Sequence, residues 1–256
     1  MISKNQGKHL RALQRKKARR ETQQFLVEGE KSVLELLESS WPLVELFATE
    51  AFIAKYQQQL AQLQVPLTLA SREDLTRFSS LANNHSALAV ARQVQHRDLT
   101  LQAGEWALAV DQVQDPGNLG SLLRIADWYG FSKIFCAPAT AELYNPKVIA
   151  ASKGSFLRVK VCYRPLPQLL AELPALTECW GAFLEGENLH QVQLGADTHG
   201  GLLVVGSESQ GISSEVAAQI TKRVTIPAFG QAESLNVGVA TAVICDTIKR
   251  LTTASA

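Results

Sequence analysis

The segment LLVVGSESQGIS, residues 202–213, places an apolar run directly before a loop rich in glycine and polar side chains. Consecutive apolar residues are typical of a strand that is buried on both faces of a parallel sheet. A second loop of mixed glycine and polar residues lies within IPAFGQAESLNVGVA, residues 226–240. Because ligands of open α/β sheets bind outside the carboxyl ends of the strands, the two loops predict a ligand site at one sheet edge.

Strand and helix patterns alternate on both sides of these loops. Strand-like runs occupy residues 106–110, 134–136, 159–163, 180–184, 202–205 and 223–226. The clearest helix is expected over residues 118–129, with Gly130 at its C-terminal cap. A longer helix is expected over residues 233–250, with Ser234 as its capping residue. The pattern predicts an α/β fold with a mostly parallel sheet and helices on both faces.

The first part of the chain predicts a separate, small α/β domain. Its strand-like runs are residues 25–27, 43–48, 67–69 and 87–91, and its helical patterns are residues 30–38 and 72–81. A polar stretch, residues 96–105, precedes a strongly apolar strand and is the best candidate for a linker. We therefore expect one domain over residues 1–98 and a second over residues 105–256.

Basic charge is concentrated at the start of the chain. Residues 1–20 hold eight of the 25 Lys and Arg and no Asp or Glu. Residues 21–256 therefore have 17 Lys and Arg against 24 Asp and Glu, a formal charge of about −7, although the whole chain carries +1. A local basic cluster favours contact with phosphate, which predicts an RNA-binding role. A solvated helical face and a mitochondrial transit peptide are the alternative interpretations. The eight basic residues are Lys4, Lys8, Arg11, Arg15, Lys16, Lys17, Arg19 and Arg20.

Composition argues against several other classes of function. The cysteines Cys136, Cys162, Cys179 and Cys245 lie far apart and form no C-x-x-C pair, and the five histidines show no ligand-like spacing. This favours reduced core cysteines in the cytoplasm and predicts no metal. No apolar run approaches the roughly 18 residues that cross a bilayer, so we expect no membrane partner.

Three segments carry the residues from which chemistry is expected. DQVQDPGNLGSLLRIA, residues 111–126, contains Asn118 as a helix cap and Arg124 about two turns later. Arg124 lies on a helix that must pack against a sheet, so we expect its guanidinium to face the strand ends. Glu208 would repel a pyrophosphate, which excludes a dinucleotide loop at residues 206–211. The alternative for this loop is a surface turn with a solvated Glu208. We expect Asn236 at the same strand ends; the alternative is that Ser234 and Asn236 are only N-terminal turn residues of a helix.

Taken together, these motifs resemble a known family. NxGxxxRxA, GxExxG and IPxxGxxxSLNVxxA are similar to the SpoU (TrmH) branch of the SPOUT RNA methyltransferases over residues 106–252. The basic opening and FLVEGEKSVLELL, residues 25–37, resemble the small substrate-binding domain similar to ribosomal protein L30e that often precedes it. The resemblance implies S-adenosylmethionine-dependent methylation of a ribose 2′-hydroxyl in RNA, a C-terminal trefoil knot and a homodimer.

The resemblance also implies roles for individual residues. Arg124 would act first as a phosphate or alkoxide clamp, because a guanidinium of pKa above about 12 is a poor base. Glu208 would orient that guanidinium through a paired hydrogen bond. The implied cofactor contacts are Gly206, Ser207, Gly211, Ile226 and Leu235, and the implied residues around the ribose are Asn118, Arg124, Glu208, Ser234 and Asn236.

Two positions and the substrate stay open at this stage. Ser209 stands where many relatives have glycine and would be strained if the loop needed a positive φ there. Lys153, within ASKGSF, either contacts RNA phosphate or is solvated. Ribosomal RNA is favoured over transfer RNA because of the appended domain. The alternatives are an inactive RNA-binding member and a different nucleotide-using α/β enzyme.

Overall fold

The computed structural model describes residues 1–195, 198 and 200–254. The chain forms two compact units, one of residues 1–94 with 142–157 and the other of residues 95–141 with 158–256. Residues 142–157 therefore pack with the first unit, although their position in the chain lies within the range 105–256. Each unit has a sheet of its own.

The helices and strands are numbered in chain order. The helices are α1 Lys4–Leu13, α2 Lys16–Thr22, α3 Glu30–Leu37, α4 Glu50–Lys55, α5 Gln57–Leu60, α6 Arg72–Phe78, α7 Pro116–Trp128, α8 Pro146–Ser152, α9 Leu166–Ala171, α10 Ser214–Ala217 and α11 Val237–Ala254, with a 3-10 turn at Ser155–Leu157. The strands are β1 Gln24–Glu28, β2 Leu43–Ala48, β3 Leu67–Leu69, β4 Ala87–Arg92, β5 Trp106–Asp111, β6 Lys133–Cys136, β7 Lys160–Tyr163, β8 Glu178–Asn188, β9 Gly201–Gly206 and β10 Lys222–Thr225.

The first unit is built on a four-stranded sheet of order β1-β4-β2-β3, in which β4 is antiparallel to both neighbours. Helix α1 begins at a capping box, where Ser3 and Gln6 exchange hydrogen bonds with each other's backbone. Leu10 and Leu13 of this helix are fully buried in the core of the unit. The basic start of the chain is thus an integral part of the fold.

The second unit is built on a six-stranded sheet of order β10-β8-β9-β5-β6-β7, and every pairing in it is parallel. All six residues of β5, in the middle of the sheet, are buried. One face packs on α9 and α10, as shown by the core cluster that joins residues of these helices to Ala107, Ala109, Leu202 and Val204. Helices α7 and α11 contact each other and the strands β6 and β9. The prediction of a parallel sheet with helices on both faces is confirmed.

Two predicted helix starts differ from the observed ones. Helix α7 begins at Pro116, and Asp115 caps it by accepting a 2.8 Å hydrogen bond from the backbone N–H of Asn118. Asn118 was expected to be the cap but lies inside the first turn. The predicted C-terminal end of α7 is confirmed, because Gly130 has a φ of +67° and donates its N–H to the carbonyl of Asp127 at 3.1 Å.

The predicted start of α11 at residue 233 is also wrong. Asn236 caps this helix, because its Oδ1 accepts a hydrogen bond from the N–H of Gly238 at 2.9 Å. Its backbone carbonyl accepts the N–H of Ala240 at 3.0 Å. Ser234 therefore lies ahead of the helix and does not cap it.

Candidate active site

The candidate site lies at the carboxyl edge of the parallel sheet. Strand β5 ends at Asp111 and β9 ends at Gly206, and these two residues are partners in the strand register. Parallel strands bring their carboxyl ends to the same edge, so the segments that follow them emerge side by side. The predicted ligand loops, residues 206–213 and 226–236, therefore start from this edge.

The loop after β9 is closed by its own backbone. Ser207 donates its N–H to the carbonyl of Gly211 at 3.1 Å, and Gly211 donates its N–H to Ser207 at 2.8 Å. A Cβ on Gly206 would lie 2.0 Å from the carbonyl carbon of Gly211, so this close approach requires glycine. The positive φ of the loop, +67°, falls on Gly211, and Ser209 is not among the positive-φ residues of the described chain. Serine at position 209 is therefore unstrained.

One hydrogen-bonded chain joins a residue from each of the three motifs. The Nδ2 amide of Asn236 donates to Oε1 of Glu208 at 2.7 Å and to Oδ1 of Asn118 at 3.0 Å. This uses both protons of that amide. Within the described residues, Oε2 of Glu208 and Nδ2 of Asn118 have no hydrogen-bond partner. The network thus offers one negatively charged acceptor and one amide donor to a ligand.

Arg124 is exposed on α7 and stands apart from this network. It forms no hydrogen bond or ion pair with any residue that the structure describes. The expected pairing of Arg124 with Glu208 is absent, and the carboxylate is instead hydrogen-bonded to Asn236 through Oε1. Ser234 is exposed as well and forms no hydrogen bond with the described residues. The structure therefore brings Asn118, Glu208 and Asn236 together and leaves Arg124 and Ser234 without a partner in this network.

The segment after β10 leaves its main chain unpaired. The backbone N–H and C=O groups of residues 226–235 form no hydrogen bond with any described residue. Ile226 is half-buried, and Leu235 is 48% exposed. Free backbone donors and acceptors beside apolar side chains are what a ligand such as S-adenosylmethionine requires, with its adenine edge, its carboxylate and its apolar methylene groups. The segment fits such a cofactor.

The predicted RNA-binding cluster needs one correction. Arg19 is only 2% exposed and forms a bidentate ion pair with Glu142, with distances of 2.7 and 3.2 Å. It also donates to the backbone carbonyls of Leu13 and Gln14, both at 3.0 Å. Arg19 is therefore a structural residue and not an RNA contact. The other basic residues of α1, α2 and their junction are exposed and form the basic surface: Lys4, Lys8, Arg11, Arg15, Lys16, Lys17 and Arg20.

Two acidic residues of the site went unrecognised in the sequence. Asp111 is 2% exposed, and its Oδ2 accepts the backbone N–H of Ser213 at 2.7 Å. Asp115 holds the first turn of α7 through Asn118, as described above. A signal for Asp115 was present, because proline favours the first helical position and Asp115 directly precedes Pro116.

The cysteines are not available to this site as nucleophiles. All four cysteines are free and buried, and burial raises the pKa of the Cys179 thiol to about 11, so its thiolate is scarce at neutral pH.

Among the residues that the structure describes, no cluster of three His, Cys, Asp or Glu side chains could hold a metal ion, and His199 lies outside them. Within the same residues, no helix has the length and apolar character that spanning a membrane requires. Lys153 is exposed in a left-handed conformation at the end of α8.

Comparison with known proteins adds to this picture. The sequence profile of the SpoU rRNA Methylase family matches residues 105–246, and that of the MRM3-like substrate binding domain matches residues 4–89. A 23S rRNA guanosine 2′-O-methyltransferase from Bacillus subtilis is 30% identical and covers 94% of this chain and 95% of its own length.

Solved structures agree over nearly the whole chain. A TrmH-family protein from Porphyromonas gingivalis is 35% identical, with a TM-score of 0.83 over 98% of this chain and 99% of its own. The AdoMet-bound rRNA methyltransferase from Sinorhizobium meliloti has the same fold, with a TM-score of 0.85 at 24% identity, over 98% of this chain and 97% of its own.

Proposed function

The chain belongs to the SpoU rRNA methylase family, and from this membership we propose that it transfers a methyl group from S-adenosylmethionine to a ribose 2′-hydroxyl of ribosomal RNA. The observation that carries the proposal is the hydrogen-bonded chain Glu208–Asn236–Asn118 at the carboxyl edge of the sheet. It joins one residue from each family motif and keeps an acceptor and a donor free at an exposed position.

The sugar is bound by the free ends of this chain. Oε2 of Glu208 accepts a ribose hydroxyl, and Nδ2 of Asn118 donates to a ribose oxygen. Asn236 touches both partners and fixes their separation, and its Oδ1 is itself anchored to the N-terminus of α11 through Gly238. Fixed geometry supplies much of the rate of a methyl transfer, because the reacting oxygen must lie in line with the methyl carbon and the sulfonium sulfur.

Arg124 provides the charge. The 2′-hydroxyl must lose its proton for its oxygen to take the methyl group from the sulfonium, and a guanidinium placed beside that oxygen stabilises the negative charge that deprotonation leaves on it. Arg124 makes no ion pair among the described residues, so its positive charge is not neutralised within them. Ser234, which lies ahead of α11, completes the set of proposed ribose contacts.

S-adenosylmethionine supplies the activated methyl group of the reaction. We place it against the loop after β9, at Gly206, Ser207 and Gly211, and against the unpaired main chain between Ile226 and Leu235. The trefoil knot that the family resemblance implies would enclose the cofactor there. Glycine at position 206 is required whether or not the cofactor is bound, because of its contact with Gly211.

We also propose that the first unit binds the RNA. The seven exposed residues of the basic surface suit contact with phosphates, and the unit matches a substrate-binding domain. We infer that the enzyme is cytoplasmic, since free cysteines stay reduced in that compartment, and that it is a homodimer, as the family resemblance implies. Sedimentation equilibrium would give twice the 27.9 kDa chain mass for the dimer, and a single-chain mass would contradict it.

Methyl transfer from labelled S-adenosylmethionine tests the proposed activity. The intact protein should label ribosomal RNA from cells that lack the gene, and digestion should release a 2′-O-methylated nucleoside. Arg124→Ala should reduce the rate about 10²- to 10³-fold, the usual cost of removing one charge-stabilising donor, while the Kd for the cofactor changes little. Label in transfer RNA alone would correct the substrate, and cofactor binding without label in any RNA would contradict the catalytic assignment.

A further inference from the structure

We infer that Asp111 is a positioning residue for the cofactor loop, acting as the hydrogen-bond acceptor that fixes where the segment after Gly211 leaves the site. This inference rests on the proposed function, because it assigns to the loop the binding of S-adenosylmethionine. Asp111 itself contacts neither the cofactor nor the RNA in this account. It acts through the backbone of Ser213.

The placement of Asp111 is unusual for a carboxylate. It is the last residue of the central strand β5 and is only 2% exposed. Within residues 1–195, 198 and 200–254, no Lys, Arg or His pairs with it, and its hydrogen-bond partner is the N–H of Ser213 at 2.7 Å. A buried carboxylate without a basic partner is costly to the fold. A valine or leucine at this position would avoid that cost, so the carboxylate points to a role that requires a hydrogen-bond acceptor here.

The path of the loop indicates that Asp111 anchors it. The loop is closed at its base by the paired backbone bonds of Ser207 and Gly211. Ile212 is buried, and its N lies 2.3 Å from the position that a Cβ on Gly206 would occupy. The chain therefore returns across the end of β9 in close contact with it. Beyond Ile212 the next anchor is the bond from Ser213 to Asp111.

This anchor couples two neighbouring strands. Asp111 is in register with Gly206, so one residue pair carries both contacts of the returning chain. Gly206 receives the backbone of Gly211 and Ile212, and Asp111 holds Ser213. Without the acceptor, the N–H of Ser213 would lose its partner and the loop would be fixed at its base alone. A loop displaced by about 1 Å is sufficient to lower binding or turnover strongly.

The test compares the acceptor and the donor of this bond with matched controls. Asp111→Ala removes the acceptor, and Asp111→Asn keeps an oxygen that can accept. Ser213→Pro removes the donor, and proline suits the φ of −59° at this residue. Ser213→Ala keeps the N–H and removes a hydroxyl that makes no capping bond. Glu178→Ala removes a carboxylate that accepts the backbone N–H of Gly195 at 2.8 Å at the opposite edge of the sheet and also bonds Trp180, Thr198 and Lys222, so it causes a larger local loss away from the loop.

Two readouts are measured on the full-length protein: amide hydrogen exchange of residues 206–213 without ligand, and the Kd for S-adenosylmethionine by calorimetry. Asp111→Ala and Ser213→Pro should speed exchange in this loop and weaken cofactor binding at least tenfold. Asp111→Asn, Ser213→Ala and Glu178→Ala should keep both values within about twofold of the parent. Affinity for ribosomal RNA, which depends mainly on the basic surface, should stay within about twofold of the parent in every variant, whereas a general loss of folding would lower it much further.

The outcomes separate the inference from the function on which it rests. Unchanged loop exchange in Asp111→Ala, or an equal effect of Glu178→Ala, would overturn the positioning role. Failure of Asp111→Asn would also overturn it, since the charge and not the acceptor would then matter. If the parent protein bound no S-adenosylmethionine while Asp111→Ala still loosened the loop, the proposed function would fail and the anchoring of the loop by Asp111 would stand.

Discussion

The two surfaces proposed to meet RNA and cofactor are held in different ways. At the carboxyl edge of the second unit, backbone contacts such as that between Gly206 and Gly211 fix the loop, and side chains join in a directed network through Asn236. On the first unit, the basic surface consists of long, exposed side chains on α1 and α2. Helix α1 is held by the buried Leu10 and Leu13, and α2 by the buried Arg19 with its ion pair to Glu142, and not by contacts among the exposed basic groups.

The two surfaces should therefore respond differently to amino-acid substitution. Backbone contacts at van der Waals distance tolerate almost no added volume, so substitutions at the sheet edge should act as losses of the whole site. Exposed charges act at longer range and are screened by salt, so substitutions on the basic surface should be graded and additive. Three pairs of substitutions test this contrast, beginning with the pair of largest expected effect.

Gly206→Ala should abolish the edge site. The new Cβ would lie 2.0 Å from the carbonyl carbon of Gly211, a distance that real Cβ atoms do not show, and the obstacle is backbone that cannot turn away. We expect the Kd for S-adenosylmethionine to rise at least about 100-fold in calorimetry, because the loop must move by an ångström or more. RNA affinity should persist, since the basic surface belongs to the other unit.

Gly230→Ala is the matched control for stability, because nothing lies within 4 Å of a Cβ at that position. Its melting temperature should equal that of the parent protein. If Gly206→Ala bound the cofactor as the parent protein does, the loop would be adaptable and the contrast between the two surfaces would not hold.

Arg19→Ala and Arg20→Ala should separate structure from binding within the basic segment. Removing Arg19 leaves Glu142 without its bidentate partner and should lower the free energy of unfolding by about 3 kcal/mol. Arg20 is exposed, so its loss should change stability by less than about 0.5 kcal/mol. It should instead reduce the slope of log K for RNA against log salt by a little under one.

Urea unfolding and RNA titrations at several salt concentrations measure these two effects. Deleting residues 1–20 would not separate them, because Leu10 and Leu13 would leave the core with the charges. A change of salt slope in Arg19→Ala, at conditions where the variant stays folded, would return Arg19 to the set of RNA contacts.

The sequence predicted the edge of the sheet better than the basic segment. Strands β5 and β9 lie within one residue of where their apolar runs indicated, and the loops after β9 and β10 emerge at the predicted edge. These features follow from local patterns and from the rule that parallel strands share their carboxyl ends. The hydrogen bonds of Asn236 to Glu208 and Asn118 link residues 28 and 118 positions away, so motif order alone could not reveal them.

What the sequence could not show depends on contacts between distant residues. Arg19 is indistinguishable from its basic neighbours until Glu142, 123 positions later, is seen beside it. Residues 142–157 join the first unit through packing of α8 on β1, which no local pattern indicates. The helix starts were missed for another reason: Asp115 and Asn118, like Ser234 and Asn236, are all acceptable caps, and only the backbone decides between them.

The smallest effect is expected from replacing two glutamines that share the same strained, left-handed conformation, one beside each surface. Gln112, directly after Asp111, has a φ of 58°, and Gln23, at the end of α2, has a φ of 53°. Glycine relieves the strain of a left-handed residue, but it also makes the unfolded chain more flexible, so each Gln→Gly change should raise the free energy of unfolding by no more than about 1 kcal/mol. Urea denaturation measures this for both variants.

Only Gln112→Gly should also lower the rate of methyl transfer, by a factor of a few, because a freer residue after β5 loosens Asp111 and the loop that it holds. Equal rates in the two variants would mean that the edge tolerates local freedom as well as the basic surface does.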